Sequence, residues 1–218
     1  MNGVTYRDPE KPVRLAHDRI EVDGQPLAPQ GKIYLMVNKP RGVVTTASDE
    51  KGCETVYACL DAALPWVAPV GRLDKASEGL LLLTNDSEWA ARVLSPETHL
   101  DKTYHVQIAG LADDALITAL RQGTTSDGDF LRAKQVSILR RGEKNTWLEI
   151  VLDEGKNRQI RRMLAALGIE VLRLVRVAIG PLLLGTLGKG TSRRLTAAEK
   201  NKLDAALRGK SARGTGKH

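Results

Sequence analysis

The stretch Gly71-Arg-Leu-Asp-Lys-Ala-Ser-Glu-Gly-Leu-Leu-Leu-Leu-Thr-Asn-Asp86 constrains the fold more than any other part of the chain. Leu80, Leu81, Leu82 and Leu83 form an unbroken apolar run, after which Thr84-Asn85-Asp86 carries turn and helix-start chemistry. A run without polar alternation reads as a strand covered on both faces; periodicity alone leaves a short buried helix open. Just ahead of it, Asp74 stands between Arg72 and Lys75, with Gly71 and Gly79 letting the backbone bend. One carboxylate among cations at the lip of a buried strand is a candidate for chemistry. Taken alone, Arg72-Leu73-Asp74 is more often the pattern of a charged surface turn.

The chain has 218 residues, enough for one large domain or two small ones with a real core. Its longest apolar runs fall far short of the ~20 residues that span a bilayer, and its first residues lack the apolar segment of a signal peptide. Cys53 and Cys59 have neither zinc-pair nor redox-pair spacing, so a reduced, cytoplasmic setting without membrane attachment is the expectation. The net charge of +7 is unevenly spread. Between Lys156 and Arg176 lie Lys156, Arg158, Arg161, Arg162, Arg173 and Arg176 against the single acid Glu170. Such clustering points to a polyanionic partner, with a merely solvated basic face as the alternative.

Along the chain, residues 1–18 lack periodicity, and 19–27 read as a strand, a turn at Asp23-Gly24 and a short return. Residues 33–37 read as a buried strand that runs into a turn bearing Lys39 and Arg41, followed by a strand at 43–46. Residues 55–64 fit a helix. Asn85 followed by Glu88 resembles a capping box for a helix bearing Trp89 and Val93. Tyr104, Val106 and Ile108 alternate along a strand that begins at Lys102. A helix over 113–120, strands over 130–139 and 146–152, and a strand over 171–177 follow. Sheet-forming segments with few intervening helices argue for an α+β architecture with a mixed, mainly antiparallel central sheet and flanking helices. An amphipathic helix over 197–207 leads into a basic Gly- and Ser-containing end that reads as flexible.

The second informative motif is Gly155-Lys-Asn-Arg-Gln-Ile-Arg-Arg-Met-Leu164. Ile160, Met163, Leu164 and Leu167 follow helical spacing and mark a buried face, while Arg158, Arg161 and Arg162 share another stripe. With Lys156 and Asn157 just before it, this helix offers cations and free backbone donors together to phosphate. Other motifs fail. The segment Gly185-Thr-Leu-Gly-Lys-Gly-Thr191 is not a P-loop, because Leu183 stands where that pattern needs glycine. His17, His99, His105 and His218 lack metal-ligand spacing, and no nucleotide, metal or organic cofactor is suggested.

Together, GRLD-x-x-S-x-GLLLLTND, the KTYHV strand, GKNRQIRRM and the closing LxRxxIGPLxLGxL arrangement resemble the RsuA-type pseudouridine synthases, in order, over about Tyr34 to Leu195. The RluE-like branch, which lacks an N-terminal S4 module and acts on large-subunit ribosomal RNA, looks nearest. The resemblance implies the pseudouridine synthase fold with a catalytic cleft. It also implies three parts: a leader over 1–31 without a complete S4 domain, a catalytic domain over 32–200 and a basic flexible tail over 201–218. The implied reaction isomerises a specific uridine of ribosomal RNA to pseudouridine after base flipping, without a cofactor. A monomer is the simplest state.

By the same resemblance Asp74 is the catalytic carboxylate, acting as nucleophile or as base. A carboxylate suits either task when kept ionised, which a neighbouring guanidinium favours. The resemblance gives that guanidinium to Arg161. Tyr104 stacks on the target base, Ile160 lines the base pocket, and Arg72 fills the space that the flipped nucleotide leaves. Lys39, Arg41, Lys75, Lys102, Lys156, Arg158, Arg162, Arg173 and Arg176 are the expected phosphate contacts, with Asn157 beside them. Alternatives are a non-catalytic RNA-binding or ribosome-assembly protein, the same activity on small-subunit RNA, and a protein that binds anionic small molecules.

Overall fold

The computed structural model describes the chain except at residues 1, 7, 9–11, 14–16, 19, 23–24, 27–30, 47–51, 99 and 212–218. The chain divides into two units, residues 1–32 and 33–218. In the first, β1 (Glu21–Val22) pairs antiparallel with β2 (Gln25–Pro26). The turn expected between them, at Asp23 and Gly24, lies outside the described residues.

The second unit is built on a sheet whose strand at its heart is β5 (Glu78–Thr84). One edge of β5 pairs antiparallel with β3 (Tyr34–Lys39). The other pairs with β4 (Ala68–Val70) beside Leu82, Leu83 and Thr84, and with β11 (Val171–Ile179) beside Glu78 and Gly79. Beyond β11 come β6 (Lys102–Ala109), β10 (Asn145–Leu152) and β9 (Gln135–Arg141). Strand β13 (Ser192–Arg194) flanks β3, and β12 (Leu182–Leu183) turns back on β11. Within this sheet only β5 and β11 run parallel among the described strands, so the sheet is mixed and mainly antiparallel, as the sequence indicates.

The four leucines of β5 are fully buried because each face of the strand meets its own core. Leu80 and Leu82 pack with Trp89 and Val93 of α1 (Ser87–Leu94) and with Leu203 and Leu207 of α4 (Ala197–Ser211). Leu81 and Leu83 pack with Leu35, Val37, Val56 and Val67. A third core lies under β6, β9 and β10, closed by α2 (Asp114–Gln122) and α3 (Gln159–Ala166). Asp113 caps α2 by accepting from the Leu116 N–H at 2.8 Å.

Several local expectations are corrected. Asp86, not Asn85, caps α1 by accepting from the Trp89 N–H at 3.2 Å, because the Asn85 side chain accepts from the Ile33 N–H at 2.7 Å. Residues 43–46 make only a bridge from Val44 to Thr55, and 55–64 hold a 3-10 turn at Val56–Cys59 instead of a helix. The apolar residues of that segment dock singly: Val56 is buried, and Tyr57 donates its hydroxyl to the Val67 carbonyl at 2.7 Å. The strand expected over 130–139 is split between β8 (Asp129–Leu131) and β9. Asp127 and Gly128, both at positive φ, form the tight turn that pairs β8 with β7 (Thr124–Ser126). A boundary at residue 200 is also overturned, since α4 runs through it. Leu203 is fully buried, and Asp204 accepts from the Trp89 indole N–H at 2.8 Å. Of the expected flexible tail, residues 212–218 lie outside the described residues.

The parallel pairing of β5 with β11 depends on Gly79. Its φ is +103°, and a Cβ there would stand 2.2 Å from the Arg176 carbonyl oxygen, a backbone atom with nowhere to go. Gly79→Ala is expected to destabilise the fold by about 3 kcal/mol or more, combining left-handed strain with overpacking. The urea midpoint of the variant measures this; an unchanged midpoint would refute the close approach.

Candidate active site

Asp74 lies in the turn between β4 and β5, and the turn is held from several sides. The Asp74 carbonyl accepts from the Ser77 N–H at 2.9 Å, and the Lys75 carbonyl accepts from the Gly42 N–H at 2.8 Å. Thr45 Oγ1 donates to the Leu73 carbonyl at 2.8 Å and accepts from the Leu73 N–H at 3.2 Å. The carboxylate is thus presented by a clamped backbone while its side chain stays 35% exposed.

Opposite it stands the loop over 153–158, which leads from β10 into α3. Buried Gln159 fixes this loop: its amide donates to the Arg132 carbonyl at 3.0 Å and to Glu154 at 2.6 Å, and its oxygen accepts from the Lys156 N–H at 3.3 Å. The helix therefore starts only at Gln159, and Arg158 takes the left-handed conformation (φ 49°, ψ 30°) as its N-cap. That conformation costs a non-glycine residue roughly 1–2 kcal/mol. The backbone donor of Lys156, which the sequence offers to phosphate, is already engaged.

Between these walls lies a cleft of about 840 Å³, within the size range of small-molecule and nucleotide sites. Asp74, Arg72, Lys102, Tyr104, Lys156, Asn157, Arg158, Ile160, Arg161 and Arg176 all line it, so the two sequence motifs and the KTYHV strand do meet. Tyr104 packs against the third core beside Ile160, giving the cleft an apolar side with Leu152 and Leu174. The charged partner of Asp74 differs from the expectation. Arg158 Nη1 lies 3.6 Å from Asp74 Oδ2, whereas Arg161 donates to the Ala76 carbonyl at 3.0 Å. Arg161 stays within electrostatic reach of Asp74; burial and the Arg158 charge lower its pKa, and Asp74 opposes them.

Five expected phosphate contacts do not line the cleft. Lys39 is fully buried, donating Nζ to the Pro40 and Val43 carbonyls at 2.9 and 2.7 Å, and burial pulls its amine down to about 8. Arg162 is occupied by Asp127 at 3.0 Å and Asp129 at 2.9 Å on the β7–β8 hairpin, and by the Ser126 carbonyl. Arg173 is occupied by Glu78. Lys75 reaches Cys53 Sγ at 3.1 Å, and exposed Arg41 reaches the Leu172 carbonyl at 3.5 Å. Arg176 does line the cleft but is only 7% exposed, with Nε on the Leu80 carbonyl at 2.7 Å, so it is no outward phosphate contact. Among the described residues no cluster of three His, Cys, Asp or Glu side chains is placed to hold a metal.

The profile described as RNA pseudouridylate synthase matches residues 33–166, which contain Asp74, Tyr104 and Arg161. The chain belongs to the RNA pseudouridylate synthase family. An "Uncharacterized RNA pseudouridine synthase" of Aquifex aeolicus is 38% identical over 208 residues, covering 95% of this chain and 84% of that protein. A "Ribosomal large subunit pseudouridine synthase B" of Bacillus subtilis is 36% identical over 190 residues, covering 86% and 78%. A solved structure described as "Crystal structure of pseudouridylate synthase" superposes with a TM-score of 0.70 at 33% identity, covering 93% of this chain and 86% of that one. These likenesses make the chain an RsuA-type pseudouridine synthase, an enzyme that isomerises uridine to pseudouridine in RNA.

Sequence reasoning missed Ser77 and Glu78 in the GRLDKASEG stretch of this family member. Glu78 has a side chain 3% exposed and pairs with Arg173 at 2.8 Å and with Lys189. The Arg173 hydrogen bond, helped by Lys189 against burial, holds its carboxyl down at about 2 from an ordinary 4.5. A depressed carboxylate stabilises the fold above its unfolded pKa and loses that contribution as pH falls through the folded one. Stability is therefore expected to fall by on the order of 3 kcal/mol between about pH 5 and pH 2 on account of Glu78. Urea titrations of wild type and Glu78→Gln across that window check it; superimposable pH profiles would remove Glu78 from the effect.

Proposed function

We propose that the substrate is a uridine of ribosomal RNA, on the large subunit, and that Asp74 is the carboxylate that opens its glycosidic bond. The observation that carries the reading is Asp74 on a clamped turn, facing Arg158 and Arg161 across a cleft whose apolar side is Tyr104 and Ile160. The B. subtilis relative carries a large-subunit name, which supports that substrate. Extruding a base from a helix costs a few kcal/mol, which contacts along the cleft must offset. Tyr104 supplies the stacking surface, Ile160 the apolar wall, and exposed Arg72 the group that enters the vacated space. Lys102, Lys156, Asn157 and Arg158 take the neighbouring phosphates from the rim.

Asp74→Asn is expected to abolish pseudouridine formation, by at least about 10³-fold, while changing RNA affinity less than about threefold. Nucleoside analysis of transcribed ribosomal RNA after incubation with each protein decides; turnover by the variant would exclude Asp74 from the chemistry. For the rim, log affinity against log salt has a slope of about −0.7 per single-stranded phosphate contact. Changing Lys156 and Arg158 together to Ala is expected to flatten that slope by roughly 1.4. An unaltered slope by filter binding would take both residues off the RNA backbone.

A further inference from the structure

Arg176 is a guanidinium buried in the wall of the cleft. Strand register sets it directly opposite Tyr104 on β6 and Gly79 on β5. Cross-strand partners share a face, so Arg176 and Tyr104 lie on the same face of the sheet. The residue is 7% exposed and lines the cleft. Its Nε is committed to the Leu80 carbonyl at 2.7 Å, its Nη2 is buried without a hydrogen-bond partner, and no carboxylate pairs with it among the described residues. A buried guanidinium without a counter-ion carries a large desolvation penalty, and natural proteins rarely leave such donors unmatched.

Arg176 is not alone in this. Among the described residues, four buried side-chain atoms lack a hydrogen-bond partner, on Ser77, Arg161, Arg162 and Arg176. The Arg162 atom is Nε, and it has the Asp127 carboxylate at 3.0 Å. The other three residues all line the one cleft. Three side chains of the cleft wall thus hold a buried polar atom without a partner, whereas Arg72, Lys156 and Arg158 line the same cleft as exposed cations. Phosphates of a bound strand remain at the rim; what descends to Tyr104 is the base.

The geometry points to Arg176 as the group that stabilises the uracil as an anion, an assignment that rests on the pseudouridine reading above. When the C1′–N1 bond breaks, its electron pair leaves with the base, whichever way C1′ is captured. The charge spreads over N1, O2 and O4 of the uracil. The base turns, its C5 forms the new bond to C1′, the C5 proton is lost, and N1 takes up a proton, so atoms and electrons balance without any oxidant or co-reactant. A fixed guanidinium that is itself buried from water matches that developing charge and gives little to the neutral uridine before reaction. Arg176 is thereby a catalytic residue distinct from Asp74, and the missing acceptor of the resting enzyme is the substrate's own transient charge.

The test compares wild type, Arg176→Gln and Arg176→Lys in single turnovers on ribosomal RNA transcribed with uridine or with 5-fluorouridine, reading loss of the N-glycoside. Fluorine makes the departing base a better leaving group, so it relieves the need for a stabilising cation. Arg176→Gln is expected to slow the uridine reaction by about 10²–10³, with RNA affinity changed less than about threefold, as for loss of one oxyanion donor. Its deficit should shrink at least about tenfold on the fluorinated substrate, with Arg176→Lys falling between. The ratio of the two substrates is taken within each variant, so any loss of folded protein cancels. Equal deficits on both substrates would make Arg176 merely structural, and a loss of affinity with the rate retained would make it a phosphate contact; either overturns the assignment. Wild type that forms no pseudouridine refutes the functional reading and this one together, whereas active wild type with an unimpaired Arg176→Gln refutes this one alone.

Discussion

The structure depends on one close approach, where the backbone of β5 meets β11 in parallel at Gly79 and Arg176. Register carries the consequence across four strands. Tyr104 on β6 faces Arg176 on β11, Arg176 faces Gly79 on β5, and Gly79 faces Lys39 on β3. A cleft residue, a buried cation, a missing side chain and a second buried cation thus form one row. The absent side chain at Gly79 lets the two strands close, and this closure brings the turn bearing Asp74 to the same end of the sheet as Tyr104. Positioning of the site and integrity of the sheet are therefore a single requirement.

Burying cations in this row needs compensation, and the protein supplies it unequally. Lys39 donates to two backbone carbonyls, and burial still lowers its pKa. In the neighbouring row, Glu78 is fully answered by Arg173 and Lys189. At Arg176 and Arg161 the answer is partial, each guanidinium holding one backbone carbonyl and leaving another nitrogen unmatched. Buried polar groups that are incompletely satisfied gather at functional sites because stability elsewhere in the fold can carry them. Among the described residues they gather on the walls of one cleft and not in the cores.

Much of this was legible in the sequence, for an identifiable reason. The unbroken leucine run forces a strand covered on both faces, the carboxylate before it must then lie at the end of that strand, and the basic helix motif is distinctive in spacing. What could not be read was which cation goes where. Lys39, Arg162 and Arg173 look like phosphate ligands in a string of letters, yet Lys39 is buried on carbonyls of its own turn, and the partners of the other two are distant in sequence: Asp127 and Asp129 on a hairpin, Glu78 on another strand. The resemblance gives the partner of Asp74 as Arg161, while helix periodicity puts Arg158 on the same helix as Arg161. Burial of Gln159 instead fixes the loop before it and leaves Arg158 in a left-handed N-cap. Segments 43–46 and 55–64 were misread for a similar reason, since their apolar residues are used one at a time and not as a face.

The two arginines near Asp74 consequently have different duties. The Arg158 side chain is 50% exposed and its ion pair spans 3.6 Å, a class of contact worth about 0–1 kcal/mol and sensitive to salt. An arriving phosphate has little to displace there. Arg161 is tied to the Ala76 carbonyl, two residues beyond Asp74 on the same clamped turn, so it keeps its place relative to the carboxylate whatever Arg158 does. A site that must attract a charged strand and then act on one uncharged base benefits from this division. A loosely paired cation at the rim answers the strand, and fixed cations below it keep their field directed at the point where negative charge arises.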